Sequence, residues 1–286
     1  MKIYAYQAPR GNLGDDLNHW LWPRLLTPSF LEQDGTFIGI GSVLHPDHFR
    51  HLPSDRPAVV FGAGCRSGVS PLSGSHPPLD IRALRGPLSS RALGLESSAS
   101  VIDGAYALQF TPEYQTLRQM PVHHECTLIP YFRSSHLAYY SWIRALYGYS
   151  VLYSDNYGSI PSALQHIARS RLILAESLHG AILADCLRIP WMRIQFYLQR
   201  PSERETGDFK WEDWRQSLNI ETIPTIRVPL DKSEWVSQKK GQILAPYRTL
   251  RYLRALRKKK NFVLSPEYRW REQSEILFHR LQELLR

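Results

Sequence analysis

The stretch RLILAESLHGAILADCLRIPWMRI, residues 171–194, decides the fold. An apolar run ends in Glu176-Ser177, a helical stretch begins near His179, Pro190 closes it, and a second apolar run follows at once. Strand, helix and strand in so short a span make a compact βαβ unit, whose two strands must lie parallel. His179 then falls at the C-terminal end of a strand and the N-terminus of a helix, where open α/β sheets hold their ligands. Its imidazole titrates near neutrality and suits proton transfer, and the adjacent Gly180 lets a ligand approach the backbone. A histidine capping its own helix is the plainer reading of the same position. Ser177 lacks the Gly-x-Ser-x-Gly elbow of a triad nucleophile.

The alternation of short apolar runs with amphipathic stretches continues on both sides, so the fold class is α/β with largely parallel sheets. Upstream, strands are expected at Lys2–Tyr6, Thr36–Ile40, Ala58–Phe61, Ile81–Leu84 and Ser100–Ile102, with helices at Asp16–Leu26 and Pro87–Leu95. A second series runs through strands at Thr127–Pro130, Ser150–Tyr153, Leu172–Ala175 and Trp191–Gln195, with helices at Ser135–Leu146, Pro161–Arg169 and His179–Leu187. Each series has the size of one Rossmann-like unit, which predicts two domains with a central cleft: 1–115 and 116–235. Residues 236–286 form a third stretch. It holds a basic helical pattern over Tyr247–Lys260, then a helix start at Ser265–Pro266 and an apolar stripe of Leu277, Leu281, Leu284 and Leu285 that packs back on the body.

Other segments can carry chemistry. GNLGDDLN, residues 11–18, lies between a strand and a helix, where free amides hold an anion or a sugar hydroxyl; Asn12, Asp15 and Asp16 are its polar side chains, and Asp16 equally suits a helix cap. It lacks the Lys-Ser/Thr of a P-loop. The turns GIGS, residues 39–42, and GAGCRSG, residues 62–68, follow strands and place Gly41 and Gly64 on one sheet edge. The second is one residue out of step with GxGxxG, which argues against a dinucleotide site. IRALRGPLSSRALG, residues 81–94, sets Arg85 just before a helix start, as an anion ligand or one half of a structural ion pair. FKWEDWRQSLN, residues 209–219, offers Lys210 before a short helix that Trp211 and Trp214 dock.

Composition excludes several classes. The formal charge is +9, yet nine Lys and Arg with no acid lie between Lys239 and Lys260, which accounts for the whole excess. A local basic segment fits a local task at an anionic surface, not a broad nucleic-acid groove. Cys65, Cys126 and Cys186 are odd in number and never form CxxC, so they read as reduced, packed thiols, and no metal-ligand cluster appears. No apolar run is long enough to span a membrane, and MKIYAYQAPRGNLGDD turns polar too soon for a signal peptide. A cytoplasmic location follows.

Taken in order over about residues 1–220, these segments resemble the polysaccharide pyruvyl transferase family, the ketal-forming enzymes of exopolysaccharide synthesis of the xanthan and succinoglycan type. The resemblance rests on GDDLN, FIGIGSVLH, the Gly-x-Gly turn at 62–64, RALRGPLSSRALG, ESLHGAILADCLRIP and FKWEDW. It implies a fold similar to two-domain, GT-B-like glycosyltransferases, phosphoenolpyruvate as donor with no other cofactor, and a lipid-linked oligosaccharide as acceptor at the inner face of the membrane. A nucleotide-sugar glycosyltransferase of the same architecture, or a basic adaptor at a membrane surface, are the competing readings. The family's basic functional residues fall on Arg85, His179 and Lys210. Ser177 and Gly180 complete the donor side, in the 116–235 domain, and Asn12, Asp15, Asp16, Gly41 and Gly64 form the acceptor side. Three positions depart from the family's usual pattern: Asp103-Gly104-Ala105, Ile129-Pro130-Tyr131 and Glu176.

Overall fold

The computed structural model describes residues 1–67, 72–134, 144, 148–196, 201–228 and 262–286. The helices expected at Ser135–Leu146 and Tyr247–Lys260 therefore lie, wholly or nearly so, outside the described residues, as does the basic segment. The chain forms two compact units: Met1–Gln119 with Pro201–Thr222 and Ser265–Arg286, and Met120–Arg200 with Ile223–Leu264. Each is built on a parallel sheet.

In the first unit the strands β1 (Lys2–Tyr4), β2 (Thr36–Ile38), β3 (Ala58–Phe61) and β4 (Leu79–Ala83) lie in the order β1-β2-β3-β4, all parallel. The helices α1 (Leu13–Leu25), α2 (Pro28–Leu31), α3 (Pro46–Phe49), α4 (Pro87–Ala92) and α5 (Glu113–Arg118) follow the strands. The sequence of β3, AVVF, is apolar throughout because a parallel sheet with helices on its faces buries alternate residues on both sides. Ala58 and Val60 join Ile38, Val43, Leu44 and Phe49 on one face. On the other, the Trp22 ring of α1 meets Phe37 and Phe61 edge-on, with centroids 5.0 and 5.6 Å away. An indole so enclosed contributes about 3–5 kcal/mol against truncation to alanine. Two expectations shift here. The helix predicted from Asp16 starts three residues earlier, at Leu13, because Asn12 caps it; and Ser100–Ile102 makes only an isolated bridge, Ser100 to Leu84, not a strand.

In the second unit β5 (Thr127–Ile129), β6 (Ser150–Val151), β7 (Ile173–Ala175), β8 (Trp191–Phe196) and β9 (Thr225–Val228) are ordered β6-β5-β7-β8-β9, again all parallel. The helix α6 (Ile160–Ala168) precedes β7, and α7 (Leu178–Cys186) links β7 to β8. The compact βαβ read from residues 171–194 is present as β7-α7-β8. Its tight return is made by Arg188, in left-handed backbone at φ 60°, and by Asp185, whose buried carboxylate accepts from the Trp191 indole at 3.0 Å. The core of this unit holds Cys126, Leu128, Tyr149, Leu174, Met192 and Ile194. All three cysteines are buried thiols outside any disulfide.

The remaining α-helices among the described residues are α8 (Pro201–Ser217) and α9 (Glu267–Leu284). The sequence-based division assigns residues 201–222 to the second domain, whereas they pack with the first unit. The reason is their apolar face: Trp211 and Trp214 are buried, and the Trp214 indole donates to the Tyr106 hydroxyl at 3.3 Å. The stripe on α9 does pack back, with Leu277 and Leu281 buried and Ser274 accepting from Gln109 at 2.8 Å. No helix among the described residues is long and apolar enough to cross a membrane.

Candidate functional site

Parallel strands point their C-terminal ends to one edge, and in the first unit that edge gathers the polar side chains. Asn12 caps α1 through Gly14 N (3.4 Å), its amide nitrogen reaches Asp15 Oδ2 (2.5 Å), and its backbone N donates to Asp16 Oδ2 (2.8 Å). One turn on, the buried Asn18 satisfies its whole amide: it donates to Asp15 O and Ile40 O and accepts from Ile40 N and the Trp22 indole, at 2.9–3.1 Å. This ties α1 to the end of β2 and sets the Asp15 carboxylate against Gly41. Gly41 stands at φ +118°, and a Cβ there would lie 2.9 Å from Asp15 Oδ1. Asp15 is only 7% exposed. Burial lifts its carboxyl to about 7, against the opposing pull of the Lys210 charge, the Asn12 hydrogen bond and the Arg66 charge.

Arg85, at the end of β4, has no exposed surface. Its Nε donates to Asp213 Oδ2 at 3.0 Å, Nη1 to Ser42 Oγ at 2.7 Å and Nη2 to Cys65 O at 3.1 Å. The guanidinium lies so close to Gly64 that a Cβ on Gly64 would stand 2.4 Å from Cζ. Asp213, from α8, also accepts from Leu88 N (2.8 Å), Ser89 N (3.0 Å) and Ser89 Oγ (2.6 Å), so it caps α4 in trans. Of the two roles the sequence allows Arg85, the structure shows the ion pair, with the cation enclosed beside the Asp213 carboxylate. Gly64, expected on the acceptor side, makes room for that guanidinium.

In the second unit the strand order reverses between β5 and β7: the chain leaves β5 for β6 on one side, and runs from β7 to β8 and β9 on the other. In open α/β sheets the carboxyl ends of the strands at such a reversal are where ligands bind. The segments in question are 130–134 after β5 and 176–177 after β7. Glu176 N and Ser177 N both donate to Ile129 O, at 2.9 and 3.2 Å. The buried Glu176 carboxylate accepts from Tyr131 N at 3.0 Å and from the Ser134 hydroxyl. Ser177 is the N-cap of α7, accepting from Gly180 N at 3.4 Å, and His179 sits half-buried in the first turn. The capping role thus belongs to Ser177, not His179. Gly180 packs on Ile129, whose Cγ2 would lie 3.0 Å from an added Cβ, so its smallness serves helix-to-strand packing.

The structure therefore brings Asn12, Asp15, Asp16, Gly41, Gly64, Arg85 and Lys210 into the first unit, and Ser177, His179 and Gly180 into the second. Lys210, expected in the domain of His179, belongs instead with Asp15, whose carboxyl its charge lowers. It lies within α8, not ahead of a short helix. Sequence reasoning passed over Asp213, Asn18 and Arg66. The first had only a partial signal: FKWEDW sets two acids between two docking tryptophans, and the fold turns Asp213 inward while Glu212 stays at the surface with Arg215.

No family model matches the chain. A comparison with curated proteins finds the succinoglycan biosynthesis protein ExoV of Rhizobium meliloti (strain 1021), 34% identical over 232 residues, spanning 80% of this chain and 68% of that protein. Identity of that degree over that span, in a chain that carries the GDDLN, RALRGPLSSRALG and ESLHGAILADCLRIP segments on parallel α/β units, places the protein in the polysaccharide pyruvyl transferase family.

Proposed function

We propose that the protein acts in exopolysaccharide biosynthesis and transfers a pyruvyl group from phosphoenolpyruvate to a sugar of a lipid-linked repeat unit, forming a ketal and releasing phosphate. Supporting it are the relationship to the succinoglycan biosynthesis protein and the position of His179 in the first turn of α7, beside the strand reversal. The finer architecture we infer is GT-B-like, with a donor-side and an acceptor-side unit. The donor carries about three negative charges near neutral pH, which convergent cations and amides must offset. In this reading the amides at the start of α7, with Ser177, receive the phosphate, and Lys210 adds its charge to the polar edge of the first unit, where it acts on Asp15. Arg85 contributes by bracing the turns at Ser42 and Cys65, not by contact.

Ketal formation needs a proton on the donor's methylene carbon, attack of a sugar hydroxyl on the central carbon, cleavage of the carbon–oxygen bond to phosphate, and closure by a second hydroxyl. The two hydroxyl protons balance the one gained by the methyl group and the one leaving with phosphate. His179 is the general acid/base in this scheme. Asp15, buried beside Gly41, holds or deprotonates the acceptor. Phosphate release from phosphoenolpyruvate and a glycan acceptor is the assay, and His179→Ala should slow it by about 10²–10⁴-fold. Release at the parental rate would remove His179 from the chemistry, and transfer from a nucleotide sugar instead would replace the reaction.

A further inference from the structure

Beside Asp15, on the edge of the first sheet, stands a second basic group that the reaction scheme above leaves unused. Arg66, half-buried after β3, donates through Nε to Ser42 O at 2.9 Å and through Nη2 to Nε2 of His48. A guanidinium only donates, so Nε2 of His48 must face it with its lone pair. The proton of the imidazole then sits on Nδ1, which donates to the Tyr4 hydroxyl at 3.0 Å. His48 is 5% exposed and held neutral, because burial and the Arg66 charge push it down to about 4. Two neutral acceptors thus hold the cation, a backbone carbonyl and an imidazole, and no carboxylate among the described residues pairs with it.

That arrangement differs from Arg85, whose charge Asp213 cancels at 3.0 Å. Taking a cation half out of water without a counter-ion is costly, and a rigid hold adds side-chain entropy to the cost. The charged groups that face this cluster are Asp15, Lys210 and, through His45, Asp47, which lies 3.5 Å from the His45 imidazole and is itself exposed. Asp15 is the nearest available counter-charge from α1, and it is drawn toward its neutral form by burial while Lys210 competes for it. Gly41 and Ser42 place these groups together, since Asp15 Oδ1 abuts Gly41 and Arg66 Nε abuts Ser42 O. The result is a cation preset by neutral groups, which among the described residues forms no ion pair with a carboxylate.

We propose that Arg66 is an anion-binding residue of the first unit, presenting its guanidinium to a phosphate-bearing group, and that His48 and Ser42 are the positioning residues that hold it for this purpose. A phosphate oxygen pair matches the planar fork better than any point charge. The phosphate has two possible sources, the donor and a diphosphate-bearing acceptor. Binding of phosphate at Arg66 stands without pyruvyl transfer, and only the naming of donor or acceptor as its source rests on that reading.

Calorimetric titration of the full chain with inorganic phosphate, inorganic pyrophosphate and phosphoenolpyruvate tests it. Arg66→Ala should weaken binding of at least one of them about tenfold or more, as expected for loss of a charge-assisted contact. Loss confined to phosphoenolpyruvate assigns the site to the donor, and loss confined to pyrophosphate assigns it to the acceptor. Arg66→Lys should restore part of the affinity, as should free guanidinium ion added to Arg66→Ala, and a merely structural arginine would show neither. His48→Phe, which keeps the charge but removes its hold, should weaken binding about threefold. Should Arg66→Ala not fold, Arg66→Lys against parent gives the same comparison. Equal affinity of Arg66→Ala and parent for all three probes, or no binding by the parent at millimolar concentration, overturns the proposal.

Discussion

Replacing Asp213 with alanine should be among the most damaging single changes in the first unit, and its cost can be worked from four contacts. The carboxylate receives Arg85 Nε, Leu88 N, Ser89 N and Ser89 Oγ, and neither it nor Arg85 has any side-chain exposure. Hydrogen bonds to a charged acceptor are worth about 1.5–3 kcal/mol each, but one carboxylate serves all four and water will enter the space it leaves, so a plain sum overshoots. Breaking a buried ion pair by removing one partner costs about 3–5 kcal/mol, chiefly because the other charge stays buried. The loss of a cap on α4 lies inside that range. Urea unfolding followed by indole fluorescence reads it directly, since Trp211 and Trp214 lie on the same helix as Asp213. At a slope of about 3 kcal/mol per molar urea, the midpoint for this unit falls by roughly 1–1.7 M.

The pair also makes an asymmetric claim. Arg85→Met leaves Asp213 still accepting from the amides of α4, so it should cost less than Asp213→Ala. The double variant should cost less than the two singles together, with a coupling of about 2–3 kcal/mol. An Asp213→Ala change below about 1 kcal/mol, or strict additivity in the cycle, would refute the view that one carboxylate neutralises Arg85 and caps α4 together.

Two further outcomes are expected. Asp15 has its carboxyl raised from 3.8 to about 7, so between those values the native state keeps a proton that the unfolded chain has lost. Stability is then shed as pH rises from about 4 to 7, and Asp15→Asn should flatten that decline by on the order of 2–3 kcal/mol between about pH 5 and 8, in urea melts at each pH; an unchanged slope would show that Asp15 titrates normally. Separately, the nine Lys and Arg of Lys239–Lys260 are expected to hold the chain on anionic vesicles, so neutralising them should abolish co-sedimentation with such vesicles at low salt. Sedimentation unaffected by those substitutions would dismiss the membrane role.

Much of the local architecture was legible in the chain. The run ILA before Glu176, the stop at Pro190 and the run WMRIQ after it are short-range signals, and the structure returns them as β7, α7 and β8. AVVF reads as a strand buried on both faces and is one. Where the reading slipped, a side chain from elsewhere decided the matter. The start of α1 moved to Leu13 because Asn12 caps it and ties its own backbone N to the Asp16 carboxylate. The small size of Gly64 and Gly180 was visible, but whether a ligand, a guanidinium or Ile129 fills the space beside each is a question of what the fold brings there.

By itself, then, the sequence of RLILAESLHGAILADCLRIPWMRI determined a parallel βαβ with His179 in the first turn of its helix, because strand and helix periods, caps and breakers act over a few residues. Tertiary structure alone decided that Arg85 pairs with Asp213 in the interior, since that partner lies 128 residues away and nothing local says which acid a buried cation will meet. It alone decided that Lys210 belongs with Asp15, and that the sheet reverses between β5 and β7 beside His179. Burial must neutralise charge and satisfy every amide, and the groups that do so are chosen by packing across the whole chain rather than by spacing along it.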